Sequence, residues 1–156
     1  MKLKVLNYLA YSVCITLFSC GNNIYENYHS FNYAGWNTDS IVKFKYTITD
    51  TLNTYDFRLK IRHTVDYNFQ NLFLFLEDEK KDTIEIILAN KNGKWTGSGI
   101  SNIREIEYVF DRKRHFKKKG EYSLSVEQAM RYGDLHEIER LDHILDIGLM
   151  VSKNNE

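Results

Sequence analysis

The chain of 156 residues balances 21 Lys plus Arg against 21 Asp plus Glu and contains no proline. That length suffices for one domain with a real hydrophobic core, and the neutral charge balance argues against a nucleic-acid binder. Eleven Tyr and nine Phe favour β-structure, and no internal repeat or low-complexity linker divides the chain apart from an Asn/Tyr-rich stretch over 21–34.

Lys2 and Lys4 precede an apolar run from Val5 to Phe18, interrupted by Asn7 and Ser12. The run has the length of a signal-peptide core and is too short to span a bilayer as a stable helix. It ends in Leu17-Phe18-Ser19-Cys20, which resembles the lipobox of bacterial lipoproteins: Leu, a variable residue, a small residue, then Cys. The resemblance implies a signal peptide over 1–19, a diacylglycerol thioether on Cys20 and an acylated new amino group. Cys14 leaves with the leader, so no free thiol remains to form a disulfide, and stability must come from apolar burial alone. At about 0.8 kcal/mol per buried methylene, two or more acyl chains hold a protein on a membrane for its lifetime. Gly21 stands where an inner-membrane retention signal often places Asp, which favours the outer membrane. Residues 21–31 lack the clustered acids that resemble a surface-export signal in Bacteroidota, which favours the periplasmic leaflet. Without Lys2 and Lys4, 19 Lys plus Arg face 21 Asp plus Glu, a net charge of −2. Residues 20–34 read as the acylated cysteine and its tether, and 35–153 as a single domain.

Period-2 alternation then predicts a succession of short strands. In 41–49, Val42, Phe44, Tyr46 and Ile48 share one face, with Lys43, Lys45, Thr47 and Thr49 opposite. In 57–65, Phe57, Leu59, Ile61 and Val65 alternate with Arg58, Lys60, Arg62 and Thr64. The stretch 72–77, Leu-Phe-Leu-Phe-Leu-Glu, is apolar on both faces, as befits a central strand or half of an exposed patch. A charged turn leads to a strand over 83–89, and Gly93 offers a positive φ in the turn that follows. Strands carrying Ile106, Tyr108 and Phe110, then Tyr122, Leu124 and Val126, come next. The last strand places Leu145, Ile147, Leu149 and Val151 inward. Turn signals every 8 to 15 residues favour an all-β fold, an antiparallel β-sandwich of jelly-roll-like or Greek-key type. At most one short helix is expected, near 127–144, where Met130, Leu135, Ile138 and Leu141 have near-helical spacing and Asp134 with Glu137 are placed to cap it.

Trp36 with Asp39, then Phe44, Tyr55, Arg62, Asp66-Tyr67, Asn71-Leu72, the Gly93/Trp95/Gly97/Gly99 turn, Met130-Arg131 and Gly148-Leu149 resemble the GldH family of gliding-motility lipoproteins from Bacteroidota. The resemblance runs from about Tyr25 to Val151 and includes the lipobox. It implies a non-enzymatic accessory of the gliding machinery, linked to type IX secretion and associated with the outer membrane. Its implied partners are the membrane, through the N-terminal lipid, and other gliding or type IX secretion envelope proteins. It carries no catalytic residues.

The residues themselves name no reaction. His63, His115, His136 and His143 are scattered without the spacing that converges metal ligands; His63 falls on the apolar face of its strand, as a packed or hydrogen-bonded residue would. No metal, cofactor or catalytic set is implied. The Gly97 region lacks the Gly-Lys-Ser/Thr ending of a phosphate loop, and no nucleophile elbow occurs. Trp36 and Trp95 fit core anchors, or an alternative function as a periplasmic glycan- or lipid-binding module if they line an open groove. Residues 112–119 pack six Lys/Arg and one His, which suits either anionic lipid, an acidic protein face, or a solvated hairpin tip. If 41–49 and 56–65 pair as a hairpin, Lys43, Lys45, Arg58, Lys60 and Arg62 form one basic patch on a sheet face, a candidate partner surface. Like charges side by side on a sheet need acidic neighbours, and Glu85, Glu105 and Glu107 are placed to supply them.

Overall fold

The alternation read from the sequence becomes burial. In β3 (Val42–Ile48) every second side chain is enclosed, with Lys43, Lys45 and Thr47 left in water. β4 (Thr54–Thr64) encloses Tyr55, Phe57, Leu59, Ile61 and His63. A computed structural model describes residues 22–31, 35–134 and 136–154; the expected signal peptide over 1–19, with Cys14, and the expected lipid-attachment residue Cys20 lie outside them.

The remaining strands are β1 (Asn23–Ser30), β2 (Trp36–Asn37), β5 (Asn71–Glu77), β6 (Lys81–Ile87), β7 (Ile103–His115), β8 (Gly120–Gln128), β9 (Arg140–Leu141) and β10 (Ile144–Asn154). They form two four-stranded sheets, ordered β1-β10-β4-β7 and β3-β8-β5-β6, and a short β2-β9 ribbon. Every pairing is antiparallel, so the protein is an all-β antiparallel sandwich, as its patterning predicts.

The core lies between the inner faces of the two large sheets. Register stacks Ile147 beside Ile61, Leu149 beside Leu59 and Val151 beside Phe57. Facing them are Leu72, Leu74 and Leu76 of β5 with Leu124 and Val126 of β8. Each such side chain contributes roughly 1.5–3 kcal/mol when fully enclosed. One end of the sandwich is closed by aromatics: the Phe116 ring meets those of Tyr122 at 4.7 Å, Tyr55 at 5.7 Å and Phe57 at 6.0 Å. The other end is closed by Trp36, stacked on Phe31 at 4.6 Å and donating its indole N–H to the Ser40 carbonyl at 3.0 Å.

Four expectations need correction. Strands β3 and β4 do not form a hairpin: β3 pairs with β8, and β4 with β10 and β7. Their apolar faces meet across the core instead, with the rings of Tyr46 and Phe57 5.4 Å apart. Alternation is equally compatible with pairing edge to edge or packing face to face, and the turn between them lets the chain change sheets. Second, no helix forms among the described residues of 127–144. Met130 and Leu141 are buried as expected, but Gly133 at φ +57° breaks the turn. The buried Gln128 amide braces an irregular loop, donating to the Ile138 carbonyl at 2.6 Å and accepting from the Met130 N–H at 3.0 Å. Third, residues 23–30 of the presumed tether are strand β1, hydrogen-bonded along β10. As an edge strand exposed over most of both faces, β1 has no need of strict alternation, so its sequence carries little strand signal. Fourth, an irregularity between Ile144 and Asp146 buries Ile144 and leaves Leu145 half-exposed.

The β1–β10 seam depends on Gly148. A Cβ there would sit 2.5 Å from Cε1 of Tyr28, whose ring lies across the glycine. Replacing Gly148 with valine should displace Tyr28 and loosen β1, costing roughly 1–3 kcal/mol as in other overpacked sites. Hydrogen exchange should then accelerate in residues 25–29 far more than in β4; unchanged protection of β1 would contradict this account.

Candidate functional site

The five cations of the expected basic patch are divided between opposite faces of the molecule. Lys43 and Lys45 project from the outer face of one sheet, in register with Ser125 and Ser123 of β8. Arg58, Lys60 and Arg62 project from the outer face of the other sheet, about 10 Å of packed core away. The patch is therefore not a single surface, because β3 and β4 belong to different sheets. On the edge strand β3 the two lysines have a plain structural use: charge on an exposed edge discourages pairing with another chain.

Arg58, Lys60 and Arg62 are instead absorbed into a charge ladder supplied by three neighbouring strands. Arg58 meets Glu107 of β7 at 3.1 Å and donates to the Ser152 hydroxyl of β10 at 2.6 Å. Lys60 reaches Glu26 of β1 at 3.1 Å. The Arg62 Nε bonds both carboxylate oxygens of Asp146 at 2.8 Å and the guanidinium lies 5.9 Å from the Tyr28 ring centre. The Asp146 hydrogen bonds raise the arginine's pKa further above its ordinary value. Glu105 and Glu107 fall in register beside Arg62 and Lys60, as the sequence allowed, whereas Glu85 lies on the other sheet and accepts from Asn71 at 2.6 Å. Asp146 is only 3% exposed. Sequence reading missed it because a lone Asp in an apolar strand has no marker for its partner across the sheet.

Both tryptophans serve packing. Trp36 is fully buried, and the half-buried Trp95 ring lies 4.8 Å from the ring of His63. The loop carrying Trp95 is fixed by glycine: a Cβ on Gly97, at φ +79°, would meet the Glu105 carbonyl oxygen at 2.2 Å. This backbone approach accounts for the glycine-rich spacing without any phosphate.

Among the described residues, no group of three or more His, Cys, Asp or Glu side chains could hold a metal ion. A cleft of about 310 Å³ between the β5–β6 turn and β7 contains Asp78, Asp111 and Arg114. Arg114 bonds Asp78, lies 3.5 Å from Asp111 and covers the rings of Phe57 and Phe116 at 5.4 and 5.5 Å. Burial alone would raise the Asp78 pKa, but hydrogen bonds from Arg114 and the turn backbone hold it below the ordinary value. Burial raises that of Asp111. The arginine lines this cleft as the internal partner of both aspartates. At the opposite end, Asp39, Glu137, Glu139 and Asp142 line a second cleft with Arg140, which pairs with Asp142 at 2.9 Å. The two ends of the sandwich thus differ in charge.

His63 is the buried histidine anticipated on the apolar face of its strand. Its Nδ1 lies 2.8 Å from the Thr64 carbonyl, which makes Nδ1 the donor, and Nε2 is enclosed without a hydrogen-bond partner among the described residues. Burial lowers its pKa below the ordinary 6.5. The folded state therefore resists a proton that the unfolded chain accepts. Stability should be full above pH 6.5 and fall as pH drops toward the lowered folded value, at up to about 1.4 kcal/mol per pH unit from this group. Urea melts one unit above and one unit below 6.5, on wild type and on His63→Phe, should show this slope shrinking in the variant.

The chain matches the family model described as GldH lipoprotein over residues 23–151, which begins at the first residue of β1. It is 32% identical to the gliding motility lipoprotein GldH homolog of Christiangramia forsetii, over 94% of this chain and 98% of that protein. It is also 32% identical to gliding motility lipoprotein GldH of Flavobacterium johnsoniae, over 90% and 92% of the two chains. Among solved structures, a family GH115 4-O-methyl-alpha-glucuronidase with specificity for decorated arabinogalactans aligns at 12% identity and a TM-score of 0.42, covering 86% of this chain and 17% of that one. A likeness that slight carries no argument. The family match reaches from the start of β1 into β10 as far as Val151 and takes in Trp36, Arg62, Trp95 and Gly148, whose places in the fold are now accounted for: the chain belongs to the GldH family of gliding-motility lipoproteins.

Proposed function

We propose that the protein is a lipid-anchored, non-enzymatic scaffold or adaptor of the gliding machinery, acylated on Cys20. In this reading it sits on the periplasmic leaflet of the outer membrane beside other gliding and type IX secretion envelope proteins. Family membership and the Leu17–Cys20 motif support the anchor and the process. The observation that carries the scaffold reading is the use of the aromatic residues. Trp36 is fully enclosed and Trp95 is packed on His63, so neither offers the open platform on which a glycan-binding groove would stack a sugar. The carboxylates of the β7 cleft are held by Arg114, whereas an enzyme's acid–base pair must be available to a substrate. What remains available is surface, and a surface held beside a membrane has a raised effective concentration for membrane-embedded partners.

A Cys20→Ser change tests the anchor, because the sulfur's role is to carry the lipid. The variant should melt at the wild-type temperature, move from the membrane to the soluble periplasmic fraction after a high-salt wash, and recover far fewer envelope proteins in pull-downs from solubilised membranes. Retention of the variant in washed membranes would show that Cys20 is not the anchor. Unchanged recovery of partners despite release would contradict the scaffold's dependence on membrane confinement.

A further inference from the structure

We propose that the end of the sandwich where β1 starts is a membrane-docking face, seated on the same bilayer that holds the lipid anchor, with Leu52 dipping into the lipid and Lys117, Lys118 and Lys119 on anionic headgroups. The proposal rests on the reading of Cys20 as the acylated residue.

The first argument is reach. The Asn22 carbonyl accepts from the Lys153 N–H at 2.9 Å, and β1 begins at Asn23 beside Ser152 of β10. Only Gly21 separates Asn22 from Cys20, and two residue steps span at most about 7 Å even when extended. The ordered sandwich therefore begins almost at the bilayer surface. A 14-residue tether would have left its orientation open; this one does not.

The second argument is what topology brings to that end. The β1 start, the β10 end, the β3–β4 turn, the β5–β6 turn and the β7–β8 turn all converge there, by the antiparallel registers Asn23 with Ser152, Thr54 with Asn154 and with His115, and Ile48 with Gly120. With strands about 4.8 Å apart and sheets about 10 Å apart, the whole end lies within roughly 20 Å of Asn22.

The third argument is its chemistry. Leu52 is 94% exposed, yet its turn is braced: its N–H donates to Asp50 Oδ1 at 2.8 Å and the Tyr55 hydroxyl donates to the Asp50 carbonyl at 2.6 Å. Such a turn presents an apolar side chain to water by construction. The adjoining β7–β8 turn exposes Lys117, Lys118 and Lys119, and none of the three makes an ion pair among the described residues. It too is braced, by buried Phe116 beneath and by the Tyr122 hydroxyl donating to the Lys118 carbonyl at 2.8 Å. Of the acids at this end, Asp50 pairs with Lys153 at 3.3 Å and Asp78 with Arg114, while the exposed Glu79 and Glu121 are outnumbered by the exposed Lys80, Lys117, Lys118 and Lys119. The acidic cleft formed by Asp39, Glu137, Glu139 and Asp142 is at the opposite end, where an anionic surface would repel it. An apolar prong amid cations is the composition that binds an anionic bilayer interface.

The test uses the acylated full-length product in vesicles of phosphatidylethanolamine and phosphatidylglycerol. Because the mature chain has no other free thiol, Leu52→Cys and, separately, Asn92→Cys in the loop at the far end accept a fluorophore at one site each. Lipid-borne quenchers should quench the label at 52 several-fold more than that at 92, and charge reversal of Lys117, Lys118 and Lys119 to Glu should abolish the difference. Equal quenching at both positions would overturn the proposal, and would indicate that this end meets a protein instead. Mass spectrometry of the same product reports separately whether Cys20 carries lipid. If it does not, the anchor reading fails, and the face is judged by sedimenting full-length Cys20→Ser protein with these vesicles. Binding should then weaken about fivefold for each lysine removed and vanish on phosphatidylcholine alone; salt-independent or absent sedimentation would overturn the face by itself.

Discussion

The structure depends on one packing relation, the closure of the β3-β8-β5-β6 sheet onto the β1-β10-β4-β7 sheet through apolar side chains alone. No cysteine lies among the described residues, so burial between these layers must hold them against their conformational entropy. Tyr46 illustrates the degree of closure. It meets Phe57 across the core at 5.4 Å and Tyr122 within its own sheet at 6.0 Å, and burial pushes its hydroxyl pKa up to about 12. Everything presented to the outside is set by which strand lies on which side of this layer.

That relation explains why the charged residues divide as they do. Crossing from β3 to β4 carries the chain from one sheet to the other, so Lys43 and Lys45 emerge on one side and Arg58, Lys60 and Arg62 on the other. The second group meets acids from β1, β7 and β10, three strands distant in sequence from β4 and from one another. Exposed ion pairs of this kind contribute little each, but the Arg62–Asp146 pair is different, since its carboxylate is enclosed and would be costly without its partner. The ladder also fastens β1, which has few apolar contacts of its own.

The same topology gives the molecule two unlike ends. One gathers the start of β1, a braced exposed leucine and a lysine turn; the other gathers Trp36, the Trp95 loop and an acidic cleft. In the proposed reading, an anchor on Cys20, with only Gly21 and Asn22 before β1, converts that asymmetry into orientation. In that reading the other end, with the loops around Gly97 and Gly133, is the one turned away from the bilayer.

The sequence by itself determined the class of fold, most strand positions and the identity of the family, because alternation, turn residues and short motifs are local properties of the chain. It marked Phe44, Leu59 and Leu149 as facing the core, and each is buried. Only tertiary structure decided which strands pair, since period-2 patterning specifies an inner face but not a neighbour. For that reason the expected patch of Lys43, Lys45, Arg58, Lys60 and Arg62 did not form, and β1 became a strand whose hydrogen bonds come from β10, more than a hundred residues away. The loop over 129–139 followed the same rule: its apolar spacing suits a helix, but Gln128 and Gly133 direct Met130 and Ile138 to the core without one. Hydrophobic spacing fixes what is buried, while long-range hydrogen bonds fix the backbone that buries it.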